Sequence, residues 1–348
     1  MNIHFERKLP IPKETKELYP LTKEIQKIIK ERQEELKAIF EGKINKCVLI
    51  IGPCSADNSN AVLDYCLRLA KIQEQVKENL YLIPRVYTSK PRTLSDGYMG
   101  ILHQPKPQGN ADLFQGIIAV RSLHSKVIAE TGFTAADELL YPENYKYVDD
   151  LLGYVSVGAR SVEDQQHRFT ASGIDVPVGM KNPTSGDLTL MMNGIYAAQH
   201  PHDFIYRGWA AHSLGNSLAH GVLRGYTDKS GKYYANYQAK NILLVKEFYE
   251  KMNLKNPAII IDCNHANSGK DPFKQQQIMQ EVLESRKENL HIAKIVKGFM
   301  VESYLQDGNQ NEGGKVYGKS ITDACLGWEK TEKLIFNLAE NLEKYCQN

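Results

Sequence analysis

The chain has 348 residues, 42% of them hydrophobic, and its 43 Lys and Arg against 41 Asp and Glu leave a net charge of +2. That near-neutral balance removes the electrostatic case for a dedicated nucleic-acid binder or a polybasic membrane protein, and six cysteines in so long a chain do not make a disulfide scaffold. The longest apolar runs, 48–51 and 258–261, are far too short to span a bilayer, and the charged N-terminal stretch has no apolar core, so a cytoplasmic enzyme is expected.

Residues 1–44 read as a helical N-terminal extension. Apolar side chains at Leu21, Ile25, Ile28, Ile29, Leu36, Ile39 and Phe40 have the spacing of an amphipathic helix that Gly42 can end. Such a helix packs on the body, binds a neighbouring subunit, or does both. Residues 45–348 then form a catalytic domain with a steady rhythm. Eight short apolar runs, at 47–53, 80–87, 133–140, 153–159, 176–181, 203–207, 257–263 and 294–301, alternate with helical segments such as 60–79, 111–131, 161–172, 186–199, 239–253 and 273–289. Near-continuous apolar strands between helices imply a parallel sheet covered on both faces. Eight such units predict an α/β fold, the (β/α)8 TIM barrel. A doubly wound open sheet is the runner-up, but no G-x-G-x-x-G follows the first strand.

In a barrel the chemistry collects at the C-terminal ends of the strands. Those ends read, in order, Cys54, Arg85, Glu138, Arg160, Lys181, Arg207 to Trp209, His265 and Glu302. Each alone is better explained as a salt-bridged or solvated loop residue; together on one face they point to a site. Arg85, Lys90, Arg92, Arg160, Lys181 and Arg224 all lie at strand ends or in the loops that follow, and suit a strongly anionic ligand. Lys90-Pro91-Arg92-Thr93 adds a rigid proline and a hydroxyl donor, although a solvated basic loop reads equally well. Ala159 and Arg160 sit in a strand-to-helix turn whose free N–H groups favour an anion.

A second group, Cys54, His265, Glu302 and Asp323, supplies a thiolate, an imidazole and two carboxylates. No short ligand motif joins them, and they meet only if the barrel is right. The mixed donors suit a borderline divalent ion, Mn, Fe, Zn or Co, better than Ca or Mg. The competing reading makes Cys54 a small buried apolar residue and His265 a hydrogen-bonded loop histidine.

An ordered series of motifs then carries a resemblance: Ile51-Gly52-Pro53-Cys54-Ser55, Pro84-Arg85-Val86-Tyr87, Lys90-Pro91-Arg92-Thr93, Gly158-Ala159-Arg160-Ser161, Pro177-Val178-Gly179-Met180-Lys181-Asn182, the run Asp262 to Ser268, Met300-Val301-Glu302-Ser303, and Gly318 to Cys325. Over roughly residues 45–340 the chain resembles the class I 3-deoxy-D-arabino-heptulosonate 7-phosphate (DAHP) synthases of enteric bacteria and yeast. The resemblance implies a transferase that condenses phosphoenolpyruvate with erythrose 4-phosphate, releasing phosphate, at the first step of the shikimate route to chorismate and the aromatic amino acids. It implies Cys54, His265, Glu302 and Asp323 as ligands of one divalent metal ion. Arg85, Arg160, Lys181 and Arg224, with the backbone at Ala159, become phosphoenolpyruvate contacts. Lys90, Arg92 and Thr93 hold the aldose phosphate, and Lys90 reaches both substrates. Catalytic roles fall to Lys90, Cys54 and His265, with Lys90 or a metal-held water near His265 moving protons. Glu138 orients cations from behind. The family likeness also implies a homodimer or homotetramer and leaves open an aromatic amino acid effector.

The sequence departs from the family in places. Segment 209–224 differs from the W-G-H and glycine- and asparagine-rich loop of its relatives, which leaves the register of Arg224 open. Met99 stands where Lys is frequent, and Asp175 where phenylalanine-regulated members carry Ser. Three other readings compete: a 3-deoxy-octulosonate 8-phosphate synthase using arabinose 5-phosphate, a catalytically silent barrel acting as a regulatory partner, and a Schiff-base aldolase using Lys181. Lys-Pro-Arg-Thr argues against the first, the complete metal and cation sets against the second, and a metal set left idle against the third. Finally, Cys325 follows Asp323 by two residues, a spacing that suggests a Cys54–Cys325 disulfide on oxidation.

Overall fold

The computed structural model describes residues 1–92 and 97–346. In chain order the elements are α1 (Pro12–Leu18), α2 (Lys23–Phe40), β1 (Cys47–Gly52), α3 (Ser59–Val76), β2 (Leu80–Pro84), α4 (Leu113–Thr131), β3 (Ala135–Glu138), β4 (Leu152–Val157), α5 (Gln165–Ser172), β5 (Val178–Lys181), α6 (Leu188–Gln199), β6 (Asp203–Tyr206), β7 (Trp209–His212), β8 (Ala219–Leu223), β9 (Tyr226–Thr227), β10 (Tyr233–Tyr234), α7 (Ala239–Lys251), β11 (Ile259–Asp262), α8 (His265–Ser268), α9 (Gln275–Glu288), α10 (Leu290–Ile295), β12 (Val296–Glu302) and α11 (Trp328–Cys346).

Every residue of β1 and β2 is buried, as strands covered on both faces must be. Eight strands form one parallel sheet in the order β2-β1-β12-β11-β8-β5-β4-β3. Its two edges meet where Arg85 bridges Ala136, and Val86 N–H donates to Ala136 O at 2.9 Å. The result is a nearly closed eight-stranded α/β barrel. Asparagine or aspartate side chains cap the start of four of the helices: Asn58 for α3, Asp112 for α4, Asp164 for α5 and Asp187 for α6. No helix among the described residues is long and apolar enough to cross a membrane.

Two apolar layers hold the barrel. The larger lies between strands and helices; the smaller fills the interior with Val48, Ile50, Tyr81, Ile83, Tyr154, Val222, Ile260 and Met300. Leu36, Ile39 and Phe40 of α2 belong to that interior layer, beside Leu218 and Ala258, which precede barrel strands. The end of α2 therefore plugs the N-terminal mouth of the barrel. Phe40 lies 4.4 Å from the His220 ring, and Gly42, at φ +75°, turns the chain toward β1.

One expected strand is wrong. Residues 203–207 do not enter the barrel; β6 pairs antiparallel with β7 as an exposed hairpin, with Arg207 and Gly208 in its turn and Trp209 opening β7, so Arg207 to Trp209 are not a barrel strand end. The sixth barrel strand is β8, Ala-His-Gly-Val-Leu, fully buried between β5 and β11. Asp-Phe-Ile-Tyr alternates as an edge hairpin does, while β8 is built from small residues that show little β-branched signal.

Candidate active site

The strand ends converge at the open mouth. Because Gly52 pairs with Glu302 in the β1–β12 register, Cys54, two residues past Gly52, reaches the level of the Glu302 carboxylate. Asp323 joins them from the long segment between β12 and α11. One ligand atom each from Cys54, Glu302 and Asp323 lie within 4.8 Å of one another, with Cys54 Sγ 3.6 Å from Asp323 Oδ2.

Glu302 is held on all sides. Its N–H donates to Gln275 Oε1 at 2.8 Å, and its carbonyl accepts from Gln275 Nε2 at 2.9 Å. Its carboxylate meets Arg85 Nη2 at 3.1 Å and accepts from Asn264 Nδ2 at 2.5 Å. His265 stands beside the three at a slight remove: its Nε2 is 3.6 Å from Glu302 Oε1, and its Nδ1 is 2.9 Å from Asp262 Oδ2. The His265 backbone takes φ +49°, an uncommon conformation for a side chain of this kind.

The electrostatics fit a cation. Burial, aided by Glu302 and Asp323, pushes the Cys54 thiol up to about 12, against the pull of Lys90. Lys90 Nζ lies 2.6 Å from that sulfur and 3.6 Å from Asp323 Oδ2. Burial disfavours the Lys90 ammonium, but Cys54, Asp323 and Glu302 together raise its pKa. The Asp323 carboxyl is also penalised by burial, yet Lys90, His265 and Lys270 hold it well below the usual carboxylate range. Two carboxylates and a thiol so close in a buried pocket require positive charge. Thiolate, imidazole and carboxylate donors suit a borderline divalent ion, so the residues fit such a metal.

Beside this cluster lie the other cations. Arg85 is fully buried, stacks 3.9 Å from the Tyr87 ring centroid and donates from Nε to Pro53 O at 3.3 Å. Its Nη1 is buried and has no hydrogen-bond partner among the described residues. Arg224, the first residue after β8, shares that condition at its own Nη1. Burial, and then the neighbouring Arg160, lower the Arg224 pKa, so the two guanidinium groups share one field. Arg160 is exposed at the rim, next to half-buried Ala159. Lys181 ends β5 with Nζ 3.7 Å from Asp262 Oδ2, and burial holds its pKa below the ordinary lysine value. Two buried guanidinium nitrogens without protein partners, next to a buried lysine, form a site for an anion.

Arg92 Nε donates to Tyr98 O at 3.0 Å; Thr93 lies outside the described residues. Glu138 packs against Gly158, where a Cβ would come within 2.4 Å of Glu138 Oε1. Its charge acts on Lys181 and Tyr87.

Asp262 was not singled out in the sequence reading. It is buried, faces both His265 and Lys181, and is held ionised by His265, Lys181 and Arg85 although burial opposes the charge. The signal was present: an acid three residues before the histidine, at the end of an apolar strand. Tyr87, whose hydroxyl bonds Ser156 Oγ at 2.6 Å beneath the Arg85 guanidinium, gave no comparable signal.

The family model described as the DAHP synthetase I family matches residues 24–335. The phospho-2-dehydro-3-deoxyheptonate aldolase of Escherichia coli K12 named Phe-sensitive is 36% identical over 335 residues, covering 93% of this chain and 91% of that protein. The Tyr-sensitive protein of the same strain is 32% identical over 352 residues, covering 98% and 96%. Among solved structures, a phospho-2-dehydro-3-deoxyheptonate aldolase from Francisella tularensis SCHU S4 superposes with a TM-score of 0.90 at 30% identity, covering 98% of this chain and 99% of that one.

Proposed function

The chain belongs to the DAHP synthetase I family, and from that premise we propose how its residues divide the reaction. The enzyme condenses phosphoenolpyruvate with erythrose 4-phosphate and water to give DAHP and phosphate, at the start of the shikimate route. Two phosphates and a carboxylate must be brought together against their mutual repulsion, and a mouth lined with Arg and Lys offsets that cost.

Arg85, Lys181 and Arg224, with Arg160 and the Ala159 backbone at the rim, bind phosphoenolpyruvate. The observation that carries this assignment is the pair of buried Nη1 atoms on Arg85 and Arg224 that have no hydrogen-bond partner among the described residues. Lys90, Arg92 and Thr93 hold the aldose phosphate. Cys54, His265, Glu302 and Asp323 hold one divalent ion, Mn, Fe, Zn or Co, which when bound supplies Lewis-acid polarisation of the aldehyde oxygen. The new C–C bond forms between C3 of the enol phosphate and the aldehyde carbon. Water then adds at C2, and phosphate departs by C–O cleavage. Arg160 and Lys181 stabilise the charge that develops around C2. Lys90 stands where it can give a proton to the aldehyde oxygen as that oxygen becomes a hydroxyl. Asp262 fixes the His265 ring from its Nδ1 side, as carboxylates commonly do behind a metal-binding histidine, and Asp262 with Glu138 favours the Lys181 ammonium that burial opposes.

The sensitivities in the relatives' names support an aromatic amino acid effector. A homodimer or homotetramer in the cytoplasm completes the reading. The test follows phosphoenolpyruvate consumption by EDTA-stripped protein resupplied with Mn²⁺, with erythrose 4-phosphate and separately with arabinose 5-phosphate. Metal-dependent consumption with the four-carbon sugar alone is expected. Consumption with arabinose 5-phosphate instead would favour the octulosonate reading, and none with either sugar would favour a silent barrel.

A further inference from the structure

We propose that Asn236, acting with Asn182 and Asn267, is a positioning residue for Arg224: the three buried carboxamides form a clamp that aims this guanidinium at phosphoenolpyruvate. The proposal rests on the reading of Arg224 as a contact of that substrate. All three side chains are buried, and each comes from a different element. Asn182 follows Lys181 at the end of β5. Asn267 lies in α8, two residues after His265. Asn236 is delivered by the β9–β10 excursion, two residues after β10.

Together they account for the backbone around Arg224. Its N–H donates to Asn182 Oδ1 at 2.9 Å, and its carbonyl accepts from Asn267 N–H at 3.3 Å. The preceding carbonyl, of Leu223, accepts from Asn267 Nδ2 at 3.0 Å. The next residue, Gly225, donates its N–H to Asn236 Oδ1 at 2.7 Å, and its carbonyl accepts from Asn182 Nδ2 at 2.9 Å. The amides also bond one another: Asn236 Nδ2 donates to Asn182 Oδ1 at 3.0 Å, and Asn236 N–H to Asn267 Oδ1 at 2.8 Å. Asn267 Nδ2 reaches the Asp262 carbonyl at 2.8 Å, which ties in β11.

The need is physical. The sheet ladder ends at Leu223, yet the chain must carry a charged residue through a buried turn where every peptide group still needs a partner. Gly225 makes that turn at φ +72°, and a Cβ on it would fall 2.6 Å from Asn267 N, so the turn is seated directly on α8. The clamp thereby links the strand ends that carry Lys181, Arg224 and His265. A guanidinium Nη1 buried without a protein partner gains from being fixed before the anion arrives, because the ordering cost is then met on folding rather than on binding.

The experiment measures the Kd of phosphoenolpyruvate by calorimetry for wild type, Asn236→Ala, Arg224→Ala and the double variant, with melting temperature and Mn²⁺ affinity measured alongside. Asn236→Ala is expected to weaken phosphoenolpyruvate about 10- to 100-fold, the range for lost hydrogen bonds to buried groups, and to leave Mn²⁺ affinity within about twofold. In the Arg224→Ala background the same substitution is expected to change Kd by less than about twofold, the signature of a residue acting through its partner. Asn182→Asp, which keeps the acceptor but loses both donated bonds, is a second route to the same pattern if Asn236→Ala does not fold. An unchanged Kd in Asn236→Ala, or an equal loss in both backgrounds, overturns the clamp while leaving Arg224 as a contact. An unchanged Kd in Arg224→Ala overturns the assignment of Arg224, and the clamp with it.

Discussion

Lys90 Nζ lies 2.6 Å from Cys54 Sγ, so a lysine from the loop after β2 touches a thiol from the end of β1. The cation set and the proposed metal-ligand set therefore meet at one point, and Lys90 belongs to both. Replacing it with Met keeps the length and removes the charge. We expect kcat to fall about 10²- to 10⁴-fold, the usual contribution of a positioned proton donor, with a much smaller change in phosphoenolpyruvate Kd. Steady-state kinetics check this, and an unchanged kcat would remove Lys90 from the proton path.

Arg85 and Glu302 form a buried pair, each about 1% exposed, with 3.1 Å between Nη2 and Oε1. Truncating one partner strands the other charge in the interior. Arg85→Ala or Glu302→Ala is therefore expected to destabilise the metal-free protein by about 3–5 kcal/mol. Urea unfolding monitored by circular dichroism measures it. A loss below about 1 kcal/mol, the range of exposed pairs, would contradict the burial argument.

His220 gives a pH dependence distant from the catalytic mouth. Its Nδ1 bonds the Leu218 carbonyl at 2.8 Å, its Nε2 bonds the Tyr154 hydroxyl at 2.8 Å, and burial, only partly offset by the Leu218 bond, holds its pKa near 4. The unfolded imidazole titrates near 6.5. The folded state thus keeps the ring neutral where the unfolded chain takes up a proton. The contribution is whole above pH 6.5 and is lost as pH falls toward 4, at about 1.4 kcal/mol per pH unit, or about 3 kcal/mol in all. Urea midpoints across this window should fall more steeply for wild type than for His220→Gln, and parallel slopes would contradict the assignment.

Cys54 and Cys325 are both buried free thiols, and Cys325 Sγ lies 3.6 Å from the Asp323 carbonyl. Air oxidation of metal-stripped protein is expected to join them, with loss of metal binding, and to lower the thiol count from six to four. Cys325→Ser should keep its remaining thiols and its capacity to rebind metal after the same treatment. Six free thiols in the inactivated wild-type protein would exclude the disulfide.

How much of this was legible in sequence varied with the kind of signal. Strands such as Val48-Leu49-Ile50-Ile51 and Ile259-Ile260-Ile261 announce themselves because both faces are buried, and the ionisable residues that follow them mark the mouth. The sixth barrel strand was hidden because Gly221 sits where Met191 packs closely and His220 lies inside the barrel, so small and polar residues stand where apolar ones are expected. The exposed β6 run, with its aromatic and branched side chains, drew the assignment instead. The clamp asparagines were hidden for another reason. A buried carboxamide reads in sequence like any loop residue, and only the fold reveals what it bonds.

The most direct test of the central claim is a crystal structure with Mn²⁺ and phosphoenolpyruvate, with the ion located by anomalous scattering. The account predicts one ion bound by Cys54, His265, Glu302 and Asp323, and phosphoenolpyruvate bonded to Arg85, Lys181 and Arg224. An ion bound elsewhere, or phosphoenolpyruvate away from the Arg85 and Arg224 Nη1 atoms, would contradict it.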